Sequence, residues 1–193
     1  MIDTKKNIQE YKLENVLELY KKGKYPEVIK KLKNLDNEIN NPEINWYLAH
    51  TYFKLHNYSQ SLINIDKFIK KKSKDLINLN FLGEIYLEMN QTDKALKSFE
   101  EAYLIDKNNK PIILNLIKTN LNIGNIKKSE KLLKDLLKDE PNNYGYLYTL
   151  TKIDKKYINN ISIDKLETDK KKLNKFDQIY SYLLIAAKKE LEK

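Results

Sequence analysis

The side chains that could carry out chemistry are few and poorly spaced for it. Cysteine is absent, which removes thiol nucleophiles and thiolate metal ligands, and only two histidines, His50 and His56, are present. A metal pair on a helix needs its second ligand three or four residues away, but Tyr47, Phe53 and Lys54 stand at that spacing from His50. Glycine-rich phosphate loops and nucleophile elbows are also missing. We therefore expect no metal, no cofactor and no catalytic activity.

Lysine supplies all of the positive charge. The 36 basic residues include no arginine, and they outnumber the acidic residues to give a net charge of +9. The excess is spread almost evenly along the chain, whereas a nucleic-acid-binding tail concentrates its charge in one block. Lys, Asn, Ile and Tyr are abundant and have AT-rich codons, so an AT-rich genome composition explains much of the charge. We do not expect nucleic acid as a partner, but a Lys-rich protein that binds nucleic acid or an anionic surface is the alternative function.

The elements that must position any functional side chain are helices. Four glycines and four prolines in 193 residues are too few for the many tight turns of a sandwich or barrel. No apolar run approaches the roughly 18 residues that span a bilayer. The first 24 residues alternate charged and apolar side chains without a signal-peptide core. We expect a soluble, cytoplasmic, all-α protein without a membrane span.

An internal repeat of 33 or 34 residues organises these helices. A turn-like tripeptide recurs at Gly23-Lys24-Tyr25, His56-Asn57-Tyr58, Asn90-Gln91-Thr92 and Gly124-Asn125-Ile126. After the third turn, Ala95, Phe99 and Ala102 stand at i, i+4 and i+7, which is one face of a helix. Similar triplets follow the other turns. A period of this length is typical of helical repeats, in which each repeat needs its neighbours to bury its apolar face.

The third repeat carries the fullest version of the pattern, with Leu82-Gly83, Tyr86, Ala95, Phe99 and Ala102 in order. In these residues and their spacing the chain resembles the tetratricopeptide repeat (TPR) family. The resemblance implies a right-handed α-solenoid of stacked antiparallel helix pairs with a C-terminal capping helix. It predicts a single superhelical domain over residues 1–193. The repeats are expected at about 9–41, 42–75, 76–109 and 110–143, with a degenerate fifth at 144–174 and the capping helix at 175–193.

An apolar stripe runs along the final helix. It consists of Phe176, Ile179, Tyr180, Leu183, Leu184, Ala187 and Leu191. We expect this stripe to cover the last exposed face of the solenoid, because terminal repeats need a cap. Two other uses stay open. The segment 176–191 could join two copies into an oligomer, or it could fill the groove of its own chain as part of a structural subunit.

The resemblance also implies a binding surface, because the first helices of TPR hairpins line a concave groove. The residues at groove positions are Trp46, Tyr47, His50, Asn80, Phe81, Glu84, Asn115, Lys118 and Tyr148. Aromatic anchors with a few polar groups are typical of protein-binding surfaces. We expect Tyr47, Phe81 and Trp46 to anchor a peptide or helix of another protein. Glu84, Asn115 and Lys118 would orient it, which makes the chain a non-catalytic scaffold or adaptor.

One ligand class is not expected. TPR proteins that grip the C-terminal carboxylate of heat-shock proteins use Lys, Asn and Arg side chains at five groove positions. Those positions hold Leu13, Leu17, Tyr47, Ile77 and Phe81 in this chain. None of these side chains can supply the charged donors that a carboxylate requires. We therefore do not expect a heat-shock-protein tail as the partner.

Overall fold

The computed structural model describes residues 14–38, 41–72, 74–169 and 173–191, and the regular elements within them are helices. A first helix, α1, is described over residues 14–21. It is followed by α2 Tyr25–Glu38, α3 Pro42–Lys54, α4 Tyr58–Lys71, α5 Leu76–Glu88, α6 Thr92–Ile105, α7 Lys110–Asn122, α8 Ile126–Asp139, α9 Tyr144–Ile153, a 3₁₀ helix Lys155–Asn160, α10 Ile163–Asp169 and α11 Lys175–Leu191. The predicted all-α fold is confirmed. The parts of the predicted repeats at 9–13, 39–40, 73 and 170–172, and the end of the predicted cap at 192–193, lie outside the described residues.

The recurring tripeptide forms the same turn between the two helices of each hairpin. Its first residue is left-handed in all four places, with φ of 73° at Gly23, 57° at His56, 57° at Asn90 and 81° at Gly124. The backbone N–H of the next residue then donates to a carbonyl in the last turn of the helix. Asn57, for example, donates to the Tyr52 carbonyl at 2.9 Å. This is the hydrogen-bond pattern of a Schellman helix end. The repeat seen in the sequence is therefore a repeat of helix C-terminal caps.

His56→Gly is expected to raise the free energy of unfolding by about 0.5–1 kcal/mol, because a Cβ is strained at positive φ and glycine has none. The exposed hydrogen bond between the His56 imidazole and the Tyr58 hydroxyl offsets only part of this gain. Urea unfolding followed by circular dichroism measures the change. Gly23→Ala is the converse control and should lower the free energy of unfolding. A Cβ at this position meets no atom within 4 Å, so the substitution alters only the backbone strain. If His56→Gly destabilises the protein, the assigned cap is wrong.

Small residues let the two helices of a hairpin approach closely, as the sequence indicated. Ala49 in α3 and Ser61 in α4 are fully buried, and the Ser61 hydroxyl donates to the Ala49 carbonyl at 2.8 Å. Ser129 of α8 makes the equivalent bond to a carbonyl of α7 at 3.0 Å. In the hairpin of α5 and α6, a Cβ on Gly83 would lie 2.5 Å from the Phe99 ring. The small side chains are therefore required by the distance between the helices.

The chain divides into two compact units, unit 1 ending at Ile112 and unit 2 beginning at Ile113. Unit 1 contains one core cluster among α1, α2 and α3 and another among α3, α4 and α5, which include Val16, Leu32, Leu48, Ile65 and Ile85. The core of unit 2 contains Tyr144, Ile158, Ile161, Leu166, Leu184 and Ile185. This grouping does not test the prediction of a single domain over residues 1–193, which stays a prediction.

The final helix, α11, packs over α9, α10 and the 3₁₀ helix of unit 2. Its buried residues are Ser181, Leu184 and Ile185. Four members of the predicted apolar stripe are exposed instead, namely Phe176, Ile179, Leu183 and Leu191. The expectation that they cover the solenoid end is therefore wrong. The apolar side chains of α11 form an arc wider than the side that is buried, so the periodicity alone could not show which part of this arc faces the core.

Candidate functional site

Helix α3 carries a row of aromatic side chains along one face. Trp46, His50 and Phe53 follow one another at i, i+4 and i+7 and so share that face, and Tyr47 lies beside Trp46. The Tyr47 and Trp46 rings meet edge-on with centroids 5.2 Å apart, and the Trp46 and His50 rings are 4.0 Å apart. All four side chains are half-buried. These residues, the α3 aromatic row, therefore present a continuous and partly accessible apolar surface.

Phe81 of α5 lies beneath this row. Its ring stacks on the His50 imidazole with centroids 3.8 Å apart and an interplanar angle of 12°, and it meets Phe53 edge-on at 5.3 Å. Phe81 is only 5% exposed and packs in a core cluster with Ile65 and Ile85. This corrects the expectation that Phe81 anchors a ligand, because a side chain buried to this extent is out of a ligand's reach. Phe81 instead supports His50 from the core side.

Burial in this stack changes the acid–base behaviour of His50. Desolvation disfavours the charged imidazole and lowers the pKa of His50 from its ordinary 6.5 to about 4, and the nearby Lys54 ammonium acts in the same direction. The Nε2 atom is buried and has no hydrogen-bond partner among the described residues. At pH 7 the ring is therefore neutral, and it acts as a flat aromatic member of the row.

Trp46 is held in place by the beginning of α5. Its indole N–H donates to the Asn78 side-chain oxygen at 3.2 Å, and the Asn78 amide group donates to Asp75 at 2.8 Å. Asp75 caps the N-terminus of α5 and also accepts from the backbone N–H of Asn78 at 2.9 Å. Asn78 and Asp75 position Trp46 but were not among the residues predicted from the sequence. Asp75 could have been recognised as a helix cap. Its link to Trp46 could not, because it runs through the hydrogen bond between Trp46 and Asn78, which are 32 positions apart.

A polar edge borders the aromatic row on α5. The Asn80 side-chain amide donates to the Glu84 carboxylate at 2.8 Å. Burial raises the pKa of Glu84, while the hydrogen bond from Asn80 and the charge of Lys54 act in the opposite direction. Glu84 follows Phe81 by three residues on α5, and Phe81 stacks on His50, so Glu84 lies on the side of α5 that carries Phe81. A partly desolvated carboxylate in this place is a strong acceptor for an N–H group of a ligand.

The three remaining predicted site residues lie in unit 2. Asn115 and Lys118 are on α7, where Asn115 is half-buried and Lys118 is exposed. Tyr148 of α9 is half-buried, with its ring 5.8 Å from that of Tyr180 and 5.0 Å from the Lys152 ammonium. Tyr148 therefore packs against α11 on one side. A role of these three residues in binding stays a prediction.

Unit 2 also contains a cavity that was not predicted from the sequence. Its volume is about 380 Å³, and its lining includes Lys134, Lys138, Tyr144, Leu150, Tyr157, Lys165 and Leu166. The lining comes from α8, α9, the 3₁₀ helix and α10 together. No single stretch of sequence carries a signal for such a cavity, because each helix supplies only a few of its walls.

Two kinds of site are missing from the part of the chain that the structure describes. It contains no group of three or more His, Asp or Glu side chains that could hold a metal ion. None of its helices is both long and apolar enough to cross a membrane.

Comparison with known proteins identifies the repeat. Residues 82–152 match the tetratricopeptide repeat family. No curated protein sequence matches the chain. Similar solved structures include residues 41 to the end of MamA from Desulfovibrio magneticus RS-1, with a TM-score of 0.68 and 14% identity, covering 95% of this chain and 97% of that one.

Two further solved structures are similar. TTC0263, a thermophilic TPR protein of Thermus thermophilus, has a TM-score of 0.58 and 18% identity, with 92% of this chain and 97% of that one covered. YrrB, a TPR protein with an unusual peptide-binding site, has a TM-score of 0.65 and 12% identity, with 90% and 88% covered. At these identities the likeness shows a shared fold.

Proposed function

We propose that this chain, of which residues 82–152 match the tetratricopeptide repeat family, is a non-catalytic scaffold that binds a segment of another protein on the face of unit 1 formed by α3 and α5. One observation carries the proposal. The α3 aromatic row is half-buried, so that it is rigidly packed from below and still accessible from above, and it is bordered by the Glu84 carboxylate. The peptide-binding site of YrrB, which shares the fold, supports this use of TPR helices.

The surface determines the chemistry of the segment that it binds. The indole N–H of Trp46 is already bonded to Asn78, so Trp46 offers its ring faces and edges and contributes by packing. Aromatic side chains with locked orientations lose little conformational entropy on binding and are frequent interface anchors. Glu84 accepts a hydrogen bond from a Lys, Arg or backbone N–H of the partner. The expected ligand is therefore a helix or extended segment with an apolar side chain next to such a donor.

The proposal includes unit 2 as a second region of contact. Asn115, Lys118 and Tyr148 would supply polar groups and one aromatic edge there. Phe81 is left out, because its side chain supports His50 and is out of the partner's reach. A location in the cytoplasm and the absence of catalytic activity belong to the same proposal.

The test compares the wild type with a site variant and a matched surface variant in capture from cell lysate at moderate salt. The site variant, Tyr47→Ala with Glu84→Gln, removes one half-buried aromatic ring and one charge. The control, Ile63→Ala with Leu104→Ala, removes two exposed apolar side chains from α4 and α6. We expect the wild type and the control to retain one defined protein. The site variant should bind it roughly 30-fold more weakly, the effect of losing about 2 kcal/mol at an interface hot spot.

Trp46 provides a second readout, because it is the only tryptophan in the chain. Titration of the captured partner, or of its bound segment, should change the Trp46 fluorescence and yield the dissociation constant. Equal capture by all three proteins would contradict the proposal. Capture of nucleic acid would also contradict the proposal if salt releases it. In a Lys-rich nucleic-acid binder, the logarithm of the binding constant falls with the logarithm of the salt concentration with a slope of about −0.9 per phosphate contact.

A further inference from the structure

The outward face of α11 is apolar and largely exposed. Phe176 is 77% exposed, Ile179 55%, Tyr182 52% and Leu183 39%. Ala186 is also exposed. The steps between these residues are three or one positions, so all five lie along one side of the helix. We call them the α11 outer face.

The opposite side of the same helix is already used. Ser181, Leu184 and Ile185 are buried in the core of unit 2. A helix that is apolar on both sides is typical of a helix with neighbours on both sides, whereas a surface helix has one polar face. An exposed row of large apolar side chains on a folded protein marks an interaction surface.

The charges beside the α11 outer face are arranged for a copy of the same helix. Lys175 lies at its N-terminal end, while Lys189 and Glu190 lie at its C-terminal end, and all three are exposed. If two α11 helices meet in antiparallel fashion about a two-fold axis between positions 182 and 183, Lys175 of one copy lies opposite Glu190 of the other. A parallel pair would instead place Lys175 opposite Lys175 and Glu190 opposite Glu190, which is repulsive.

The same register also matches side-chain sizes. Ile179 lies opposite Ala186, so that a large residue meets a small one at each of the two symmetric places. Tyr182 lies opposite Leu183 at the axis, and the Phe176 ring lies opposite the aliphatic stem of Lys189. Each contact occurs twice, as an isologous two-fold interface requires. Apolar contacts therefore occupy the middle, and opposite charges close both ends.

From this complementarity we infer that the α11 outer face joins two copies of this chain into an antiparallel, two-fold symmetric dimer. The face spans 11 residues, or about 16 Å of helix. One pair of helices of this length buries less surface than a standard interface, so the dimer is reversible, with a dissociation constant on the order of 10 µM. The dimer shares no residue with the α3 aromatic row, so it and the proposed partner binding can be tested separately.

The test is the molar mass of the full chain by sedimentation equilibrium between about 1 and 100 µM. We expect the wild type to shift from 23.0 kDa toward twice that mass across this range. Ile179→Glu should weaken the dimer at least tenfold, because it places a charge on each side of the axis. Leu104→Glu is the matched control, since Leu104 is 72% exposed on α6 and lies outside the α11 outer face. Circular dichroism establishes that both variants are folded.

A charge exchange tests the antiparallel register. Lys175→Glu alone should weaken the dimer, and Lys175→Glu combined with Glu190→Lys should restore it, because each chain then again offers opposite charges to its copy. The inference is overturned if the wild type stays monomeric at 100 µM. It is equally overturned if Ile179→Glu leaves the dimer intact, or if the double exchange does not recover what the single exchange loses.

Discussion

Phe99→Ala is expected to lower the free energy of unfolding of unit 1 by about 3–5 kcal/mol, the range for removing a large aromatic side chain from a tightly packed core. Phe99 is fully buried, and its ring lies so close to Gly83 that a single added carbon would be 2.5 Å away. Folded domains are stable by only about 5–15 kcal/mol, so this loss is a large share of the total. Urea unfolding followed by Trp46 fluorescence reports on unit 1 in particular, because Trp46 is the only tryptophan.

Two variants control for this prediction. Leu104→Ala removes a 72% exposed apolar side chain from the same helix and should change the stability by less than about 0.5 kcal/mol. Gly83→Ala should destabilise the wild type, because overpacking outweighs the gain in helix propensity. In a Phe99→Leu background the same substitution should be neutral or stabilising, since the ring that it displaces is gone. If Gly83→Ala has the same effect in both backgrounds, the close contact between α5 and α6 is wrong.

Acidification is expected to destabilise unit 1 between about pH 6.5 and pH 4 through His50. The unfolded chain protonates His50 near the ordinary pKa of 6.5, whereas the folded protein lowers that pKa to about 4. Between these values the unfolded state binds more protons, so the stability falls as the pH falls and is unaffected by His50 above pH 6.5. At about 1.4 kcal/mol for each pKa unit, the full effect is about 3 kcal/mol.

His50→Phe isolates this effect, because phenylalanine keeps an aromatic ring between Trp46 and Phe81 but does not titrate. The difference in unfolding free energy between wild type and variant, measured by urea unfolding at several pH values, should be constant above pH 6.5 and change steadily toward pH 4. Carboxylates titrate in both proteins and largely cancel from the difference. An NMR titration of His50 in a His56→Gln protein measures the pKa directly, and a midpoint near 6.5 would refute the prediction.

Much of the candidate surface could be predicted because it follows from the repeat register. The spacing of the turns placed Trp46, Tyr47 and His50 on the first helix of a hairpin, and the structure has them on α3 with their rings in contact. The depth of each side chain could not be predicted in the same way. Phe81 occupies a groove position in the repeat but is 5% exposed, because rings from α3 cover it.

The sequence by itself determined the local elements of this protein, for a physical reason. Helix periodicity, the left-handed turn residues from Gly23 to Gly124 and the small residues at Ala49 and Gly83 act through neighbours in the chain or within one hairpin. Such interactions leave a pattern that recurs every 33 or 34 residues. The all-α fold and the position of each hairpin turn follow from that pattern alone.

Only the tertiary structure decided which surfaces are covered. The side of α11 that faces the core, the burial of Phe81 and the bond from Trp46 to Asn78 all depend on groups that are distant in the chain. The apolar arc of α11 is wider than the side that one neighbouring helix layer can cover, and packing against other helices selects which part of it is buried. The remaining side of α11 stays exposed, and its apolar character became visible only when the buried side was known.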